Sequence, residues 1–374
     1  MEVKTVQKEE YLSFIENHPL ANFMQYPSWA EVKKDWQHDL LGWFEEDGKM
    51  VGCALVLYRK MPALNKFLAY IPRGPLIDWN AKNIKDWFFP LFDHLKVRNV
   101  FTVKMDPPVV RAKWHARTIQ SYIRDIRTHG LKGKTLTDLG PDWQDPAADY
   151  VQQVLTEMGW KKKSPEEGFS TVQPQFEYRL NLKDRTLDEV WKGFRRSWRQ
   201  NIRKAEKEQV VVTVGEEQDL DAYYDLLKAT AERKQFGVRN YAYFQQMFRA
   251  LKQDDADRIR LYLAIWNDRL LSAALMLHTA GHVWVLYGAS HHENRDKMPN
   301  YALHWRMIQD AHRMGAHTYD FRGISPSLDA ESPLFGLLNF ELGFRGEACQ
   351  LIGEWDYPLQ PMLYWAFDMY MRKR

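Results

Sequence analysis

Two apolar runs, Asp39–Phe44 and Met50–Tyr58, flank the polar stretch Glu45-Glu46-Asp47-Gly48. That alternation predicts a β-hairpin, with Asp-Gly supplying the left-handed backbone of a tight turn. In the second half of the chain, Arg260–Trp266 and Leu270–His278 flank Asn267-Asp268-Arg269 in the same way. Each predicted hairpin is followed by a third apolar strand, Phe67–Ile71 or Val283–Tyr287. A helix comes next, Ile84–Leu95 or Tyr301–Met314, and then a strand ending in aspartate, Val100–Asp106 or His317–Asp320. Helical spacing also precedes each hairpin, at Lys8–Asn17 with Pro27–Lys34, and at Asp219–Lys234 with Tyr241–Lys252. The same order of elements therefore occurs twice, which is the signature of an internal duplication.

The repeated order resembles the fold of GCN5-related N-acetyltransferases. It predicts an α/β protein of two such domains in tandem, with mixed, mostly antiparallel sheets flanked by helices. Residues 1–170 plus 354–374 are expected to form the first domain and 171–353 the second. The stretch from about 109 to 145, rich in His, Arg and Gly, has no counterpart in the second copy and reads as an insertion in the first. The join between copies is expected near Gly168–Gln175.

At 374 residues, 45% hydrophobic and 14% aromatic, the chain has a globular composition with a core for each half. Cys53 and Cys349 lie far apart, with no disulfide framework or zinc spacing, so a reducing compartment is expected. Met1–Glu10 is polar and holds no signal core, and no apolar run reaches the roughly 20 residues of a membrane helix. The expected location is cytoplasmic. Pro361–Arg374 is aromatic-rich and ends in Met-Arg-Lys-Arg. It reads as a helix packed on the body, with peripheral contact at the inner face of the plasma membrane as the sharper alternative.

The net charge of +3 does not identify a polyanion binder, but its distribution is uneven. Trp191–Lys207 reads as one helix, with Trp191, Phe194, Trp198, Ile202 and Ala205 on an apolar face. Arg195, Arg199, Arg203 and Lys207 recur every fourth residue, and Lys192, Arg196 and Lys204 add charge against the single acid Glu206. The stripe is either a solvated face or a contact for the phosphate backbone of RNA. No metal site is expected, since His291-His292 beside Glu293 is a lone pair in a polar stretch. No cofactor is expected either. No Gly-rich pyrophosphate loop opens a helix, and the nearest position, Arg195–Gln200, carries bulky cations in place of glycines.

A series of short motifs carries a more specific resemblance. In chain order they are Gln25 before Trp29-Ala30-Glu31-Val32-Lys33; Tyr70 with Pro72-Arg73-Gly74-Pro75 and Asp78; Lys104-Met105-Asp106-Pro107; and Gln173-Pro174. They continue with Arg239 followed by Tyr243-Phe244, Tyr287-Gly288-Ala289-Ser290, Tyr319-Asp320-Phe321-Arg322-Gly323-Ile324, and Gly353-Glu354. Together they resemble the Fem (FemABX, Fem/MurM-type) family of peptidoglycan interpeptide-bridge aminoacyltransferases. The likeness is to compact FemX-type members, since no extended heptad run provides a coiled-coil arm.

The resemblance implies transfer of an amino acid from aminoacyl-tRNA to the stem-peptide amine of a peptidoglycan precursor, either lipid II or UDP-MurNAc-pentapeptide, by a monomer. By motif, Lys33 and Arg239 hold the precursor's diphosphate, as fixed cations suit a dianion. Tyr243 and Tyr287 line the acceptor cleft, Tyr70 and Arg73 bind substrate, and Asp106 orients or deprotonates the attacking ammonium. Phe340 and Glu341 complete the catalytic group at the family's Phe-Lys-x-x-Phe element, which here reads Phe340-Glu341-Leu342-Gly343-Phe344. The family lysine is thus a glutamate. Arg345 or Arg322 then supplies the missing charge, or the acceptor is held differently, or catalysis is impaired. An acyl-CoA-dependent N-acyltransferase on the same fold and a non-catalytic precursor- or tRNA-binding paralogue are the competing readings.

Overall fold

The computed structural model describes residues 1–62, 64–126, 131–163 and 172–372. Residues 168–171 of the expected join, and Lys373 and Arg374 of the basic end, lie outside the described residues. The chain divides into two compact units. One comprises Met1–Lys113, Trp143–Gln175 and Gln350–Arg374, the other Trp114–Asp142 and Phe176–Cys349.

The first unit holds a seven-stranded sheet in the order Glu2–Thr5, Gln37–Phe44, Met50–Lys60, Phe67–Ile71, Val100–Met105, Trp355–Tyr357, Lys161–Lys162. All neighbours are antiparallel except Phe67–Ile71 with Val100–Met105, where the helix Lys85–Val97 makes the crossover. Alternation sorts the strands' side chains onto two faces. Leu41, Trp43, Ala54 and Val56 join Phe88, Phe92, Trp160 and Trp355 in the larger core. Cys53 packs on the opposite face with Tyr11, Ile15 and Tyr26 from the helical segments before the hairpin. The C-terminal helix Pro361–Arg372 closes this unit, with Phe367 edge-on to Phe101 and Tyr364 Oη donating to Asp356.

The second unit repeats the plan. Its strands run in the order Val211–Gly215, Ile259–Trp266, Arg269–Thr279, His282–Ser290, Thr318–Gly323, Phe176–Asn181, Glu347–Leu351. The hairpin turns through Asn267 and Asp268, at φ 47° and 58°, residue types that tolerate the left-handed region. His282–Ser290 and Thr318–Gly323 are parallel, joined by the helix Pro299–Arg313. The crossover strand pair and its helix thus recur in both units, as the duplication in the sequence predicts. No described helix is long and apolar enough to cross a membrane.

Two features differ from the sequence reading. The basic segment is not one helix: Leu187–Gly193 ends and Arg196–Lys207 begins anew, with Phe194 and Arg195 extended between them. The break is fixed from outside, because Arg195 N–H donates to Gly343 O at 2.9 Å. Phe194, Trp198, Ile202 and Ala205 remain buried across it. Of the stretch from about 109 to 145, read as an insertion in the first domain, residues 114–142 belong to the second unit. Ala116 N–H donates to Gly346 O, Leu136 N–H to Pro326 O, and Gln120 Nε2 to Leu342 O.

Candidate functional site

In the first unit, the strand Val100–Met105 delivers Asp106 to its end, where the side chain is only 2% exposed. Arg73 meets it twice, with its backbone N–H 3.2 Å from Oδ1 and its guanidinium Nε 3.4 Å from Oδ2. Arg73 reaches this position with a left-handed backbone, φ 49°. Gln25, wholly buried, holds the loop: Nε2 donates to Pro72 O and Oε1 accepts from Leu55 N–H. A Cβ at Gly74 would lie 2.9 Å from the Gln25 side chain, so glycine is required there. Arg73 Nη2 also donates to Pro174 O. Gln25, Pro72-Arg73-Gly74, Asp106 and Pro174 therefore form one scaffold around one carboxyl.

Burial pushes the Asp106 carboxyl up to about 6, although Arg73 and the neighbouring Tyr70 phenol pull it down. A carboxyl poised there can accept a proton near neutral pH. Burial, and then Asp106, push the Tyr70 phenol well above its ordinary range, so it remains a donor. Beside them, Lys104 is clamped between Glu354 and Asp356. That pairing escapes sequence reasoning because its members lie at distant points of the chain.

The duplicated position in the second unit is built differently. Asp320 is fully buried, accepts from Arg322 N–H at 2.6 Å and Arg179 Nε at 3.1 Å, and lies 3.3 Å from His282 Nε2. Its partners are already in place, so it reads as a structural ion pair. Asp106 is the copy whose charge is poorly compensated.

The second unit brings Arg239, Tyr243 and Tyr287 together. The Arg239 guanidinium lies 5.7 Å from the Tyr243 ring centre, and burial followed by Tyr287 pushes the Tyr243 phenol up. Tyr287 sits at φ 52°, held by Tyr223 Oη donating to its carbonyl and by Phe244 edge-on at 5.0 Å. A bulky side chain in the left-handed region marks a position where packing overrides local preference. In the first unit, Lys33 ends the helix Pro27–Val32 with its ammonium 5.0 Å from the Trp29 ring centre.

Phe340 and Glu341 end the helix Phe335–Glu341. Phe340 packs against Trp198, Tyr301, His304 and Phe344, and its carbonyl accepts from Trp198 Nε1 at 2.9 Å. Glu341 is only 3% exposed. Burial, then Asp320, push its carboxyl well above the ordinary value. Burial disfavours its charged form, and it supplies no cation. Of the two alternative cations, Arg322 Nη1 lies 3.6 Å from Glu177, whereas no described carboxylate pairs with Arg345.

The basic helix face is uncompensated. Lys192 pairs with Asp188, but among the described residues Arg195, Arg199, Arg203 and Lys207 form no ion pair. Arg195 instead lies over the Trp198 ring at 5.0 Å and Arg203 over Trp191 at 5.6 Å. The sequence reading missed that the helix Ala116–Ile126 adds Arg117 and Arg124 beside Arg195 and Arg345. Ile119 and Ile123 buried between those basic positions were the available signal. Among the described residues, no three His, Cys, Asp or Glu side chains are placed to hold a metal ion.

The chain matches the sequence profile described as the FemAB family over residues 6–269 and 265–372. It is 25% identical to lipid II:glycine glycyltransferase of Staphylococcus aureus (strain USA300), over 97% of this chain and 94% of that protein. The crystal structure of FemX superposes with a TM-score of 0.79 at 25% identity, covering 98% of this chain and 99% of that one. A tandem GNAT protein from the clavulanic acid biosynthesis pathway shares the fold, with a TM-score of 0.50 at 13% identity over 96% and 99% of the two chains.

Proposed function

The chain belongs to the FemAB family, and on that premise we propose that it transfers an amino acid from aminoacyl-tRNA to the stem-peptide amine of a peptidoglycan precursor. The precursor is lipid II or UDP-MurNAc-pentapeptide, and the product is an interpeptide bridge. The observation that carries this reading is the near full-length similarity to a lipid II:glycine glycyltransferase. The uncompensated face Arg195, Arg199, Arg203 and Lys207 supports an RNA donor over a smaller one.

The reaction is aminolysis of an activated ester. The acceptor amine attacks the ester carbonyl, a C–N bond forms, the C–O bond to the tRNA 3′ oxygen breaks, and that oxygen leaves as the hydroxyl. The chain must position two substrates and remove one proton from the acceptor ammonium. Asp106, with its carboxyl pushed up to about 6, is the proposed proton acceptor. Lys33 and Arg239 are proposed to bind the precursor's diphosphate, and Tyr243 and Tyr287 to line the acceptor site. The C-terminal helix exposes Met362, at 89%, with Trp365, Met369 and Tyr370. We propose that this face rests on the membrane surface; sedimentation with anionic vesicles should fall for Trp365→Ser, and unchanged sedimentation would reject the contact.

A second reading, a non-catalytic paralogue, is favoured by Glu341, which buries a carboxyl where the family pattern has a lysine. One assay separates the two. The protein is incubated with a mixed pool of charged tRNAs and each purified precursor, and the precursor's mass is measured. A gain of one amino-acid residue supports transfer; unmodified precursor with intact tRNA binding supports the paralogue.

A further inference from the structure

A cavity of about 1000 Å³ in the second unit lies between the helix Ala116–Ile126 and the segment Asn339–Arg345, with Arg195 on its wall. A smaller one of about 450 Å³ adjoins it, lined by Arg195, Arg196, Ser197, Gln200 and Arg345. Arg195 and Arg345 thus face both. No described carboxylate pairs with Arg117, Arg195 or Arg345, and Asp125 on the wall accepts from Ser121 Oγ. The three guanidiniums are close enough to oppose one another: after burial, Arg117 and then Arg195 are what lower Arg345 from its ordinary value.

Such a cluster is held by structure and not by chance of rotamer. Arg345 stands at φ 61°, where a non-glycine residue is strained. Its Nη1 donates to Gln120 Oε1 at 2.6 Å, and Gln120 Nε2 donates to Leu342 O. Arg195 is fixed through its backbone bond to Gly343 O. The helix Arg196–Lys207 begins at the same place, and Arg196 and Ser197 of its first turn line the smaller cavity. Converging, unpaired cations at a helix start are a site for more than one anionic group. Tyr122 also lines the larger cavity. Arginines tracking a backbone, with an aromatic ring on which a base stacks, are the elements of single-stranded nucleic-acid recognition.

We propose that Arg117, Arg195 and Arg345 bind the phosphates of the single-stranded 3′ end of the RNA donor, with Tyr122 stacking on one of its bases, while the helix stripe beyond contacts the duplex. This rests on the tRNA-dependent reading above and deepens it. Acetyl-CoA is the rival occupant, since it too carries several phosphates.

The test uses the full chain and two fluorescent RNA hairpins of identical stem, one ending in four unpaired 3′ nucleotides and one blunt. Anisotropy titrations should show the tailed hairpin binding more tightly. Arg117→Ala or Tyr122→Ala should each weaken the tailed hairpin by on the order of tenfold and leave the blunt one unchanged. Arg117→Lys should recover most of the loss, which separates charge from misfolding. Equal affinity for the two hairpins, or variants that weaken both alike, would overturn the pocket while leaving the tRNA-dependent reading standing. Displacement of the tailed hairpin by micromolar acetyl-CoA would overturn it in favour of the rival. If neither hairpin binds and the mass assay yields no modified precursor, the functional reading falls together with the pocket.

Discussion

The backbone N–H of Arg73 lies 3.2 Å from one oxygen of Asp106, and its guanidinium Nε lies 3.4 Å from the other. One residue thus contacts both oxygens of a carboxyl that has almost no access to solvent. Burial still prevails, and the group is pushed up to about 6. If Asp106 accepts the ammonium proton, kcat falls about tenfold per pH unit below that value and is flat above it. Arg73 pulls the carboxyl down, so Arg73→Met should move this limb to higher pH. Asp106→Asn should abolish the limb and lower kcat at every pH. A parent profile with no acid limb between pH 5 and 7 would remove Asp106 from proton transfer.

The parts of this geometry that were legible in the sequence are those set by local chemistry. Alternation and the Asp47-Gly48 and Asn267-Asp268 turns announce both hairpins, because turn residues and period-two patterning act over a few positions. The break at Phe194–Arg195 was not legible. Phe194 keeps the helical spacing and is buried, and what interrupts the helix is a bond to Gly343, far along the chain. The placement of residues 114–142 depends on similarly distant bonds, from Ala116 to Gly346 and from Leu136 to Pro326. Glu341 reads in the sequence as a glutamate in place of the family's catalytic lysine. Its burial follows from sharing the inward face with Leu338 and Leu342, which only the packed helix reveals.

Glu341→Gln should retain the fold and whatever transfer activity the parent has, because burial favours the neutral form of the parent carboxyl. Its carboxyl is raised well above the ordinary 4.5 in the folded chain. The stabilisation from this group is therefore complete below about 4.5, where the unfolded chain is also protonated, and is lost as pH rises toward the folded value. Glutamine has no such dependence. The parent's Tm should accordingly fall relative to that of Glu341→Gln between pH 5 and 8. A Tm difference independent of pH would mean that Glu341 is ionised in the core.

Gly343→Ala tests the joint that holds Arg195 and Arg345. A Cβ there would stand 1.9 Å from the Trp198 indole, a clash with a ring that is itself pinned through Nε1 to Phe340 O. Overpacking of this kind typically costs about 1–3 kcal/mol. Gly336→Ala is the comparison, since nothing lies within 4 Å of its Cβ position, and it should be neutral or slightly stabilising. Urea unfolding of the two variants measures the difference. Equal midpoints would show that the segment Phe340–Phe344 yields easily, and with it the fixed position of Arg195.

The basic helix face makes the most direct demand on the donor. Arg199 and Arg203 lie one turn apart on Arg196–Lys207, and among the described residues neither has an acidic partner to lose. Replacing both with Glu should therefore change binding to tRNA without disturbing an internal ion pair. Each phosphate contact contributes roughly 0.7–0.9 to the slope of log affinity against log salt. The double variant should flatten that slope by about 1.5 and weaken binding most at low salt, with the gap closing as salt rises. Filter binding of uncharged tRNA across a salt series supplies both quantities and is independent of turnover. If slope and affinity match the parent, these arginines are simply solvated, and the RNA contact has to lie on another surface.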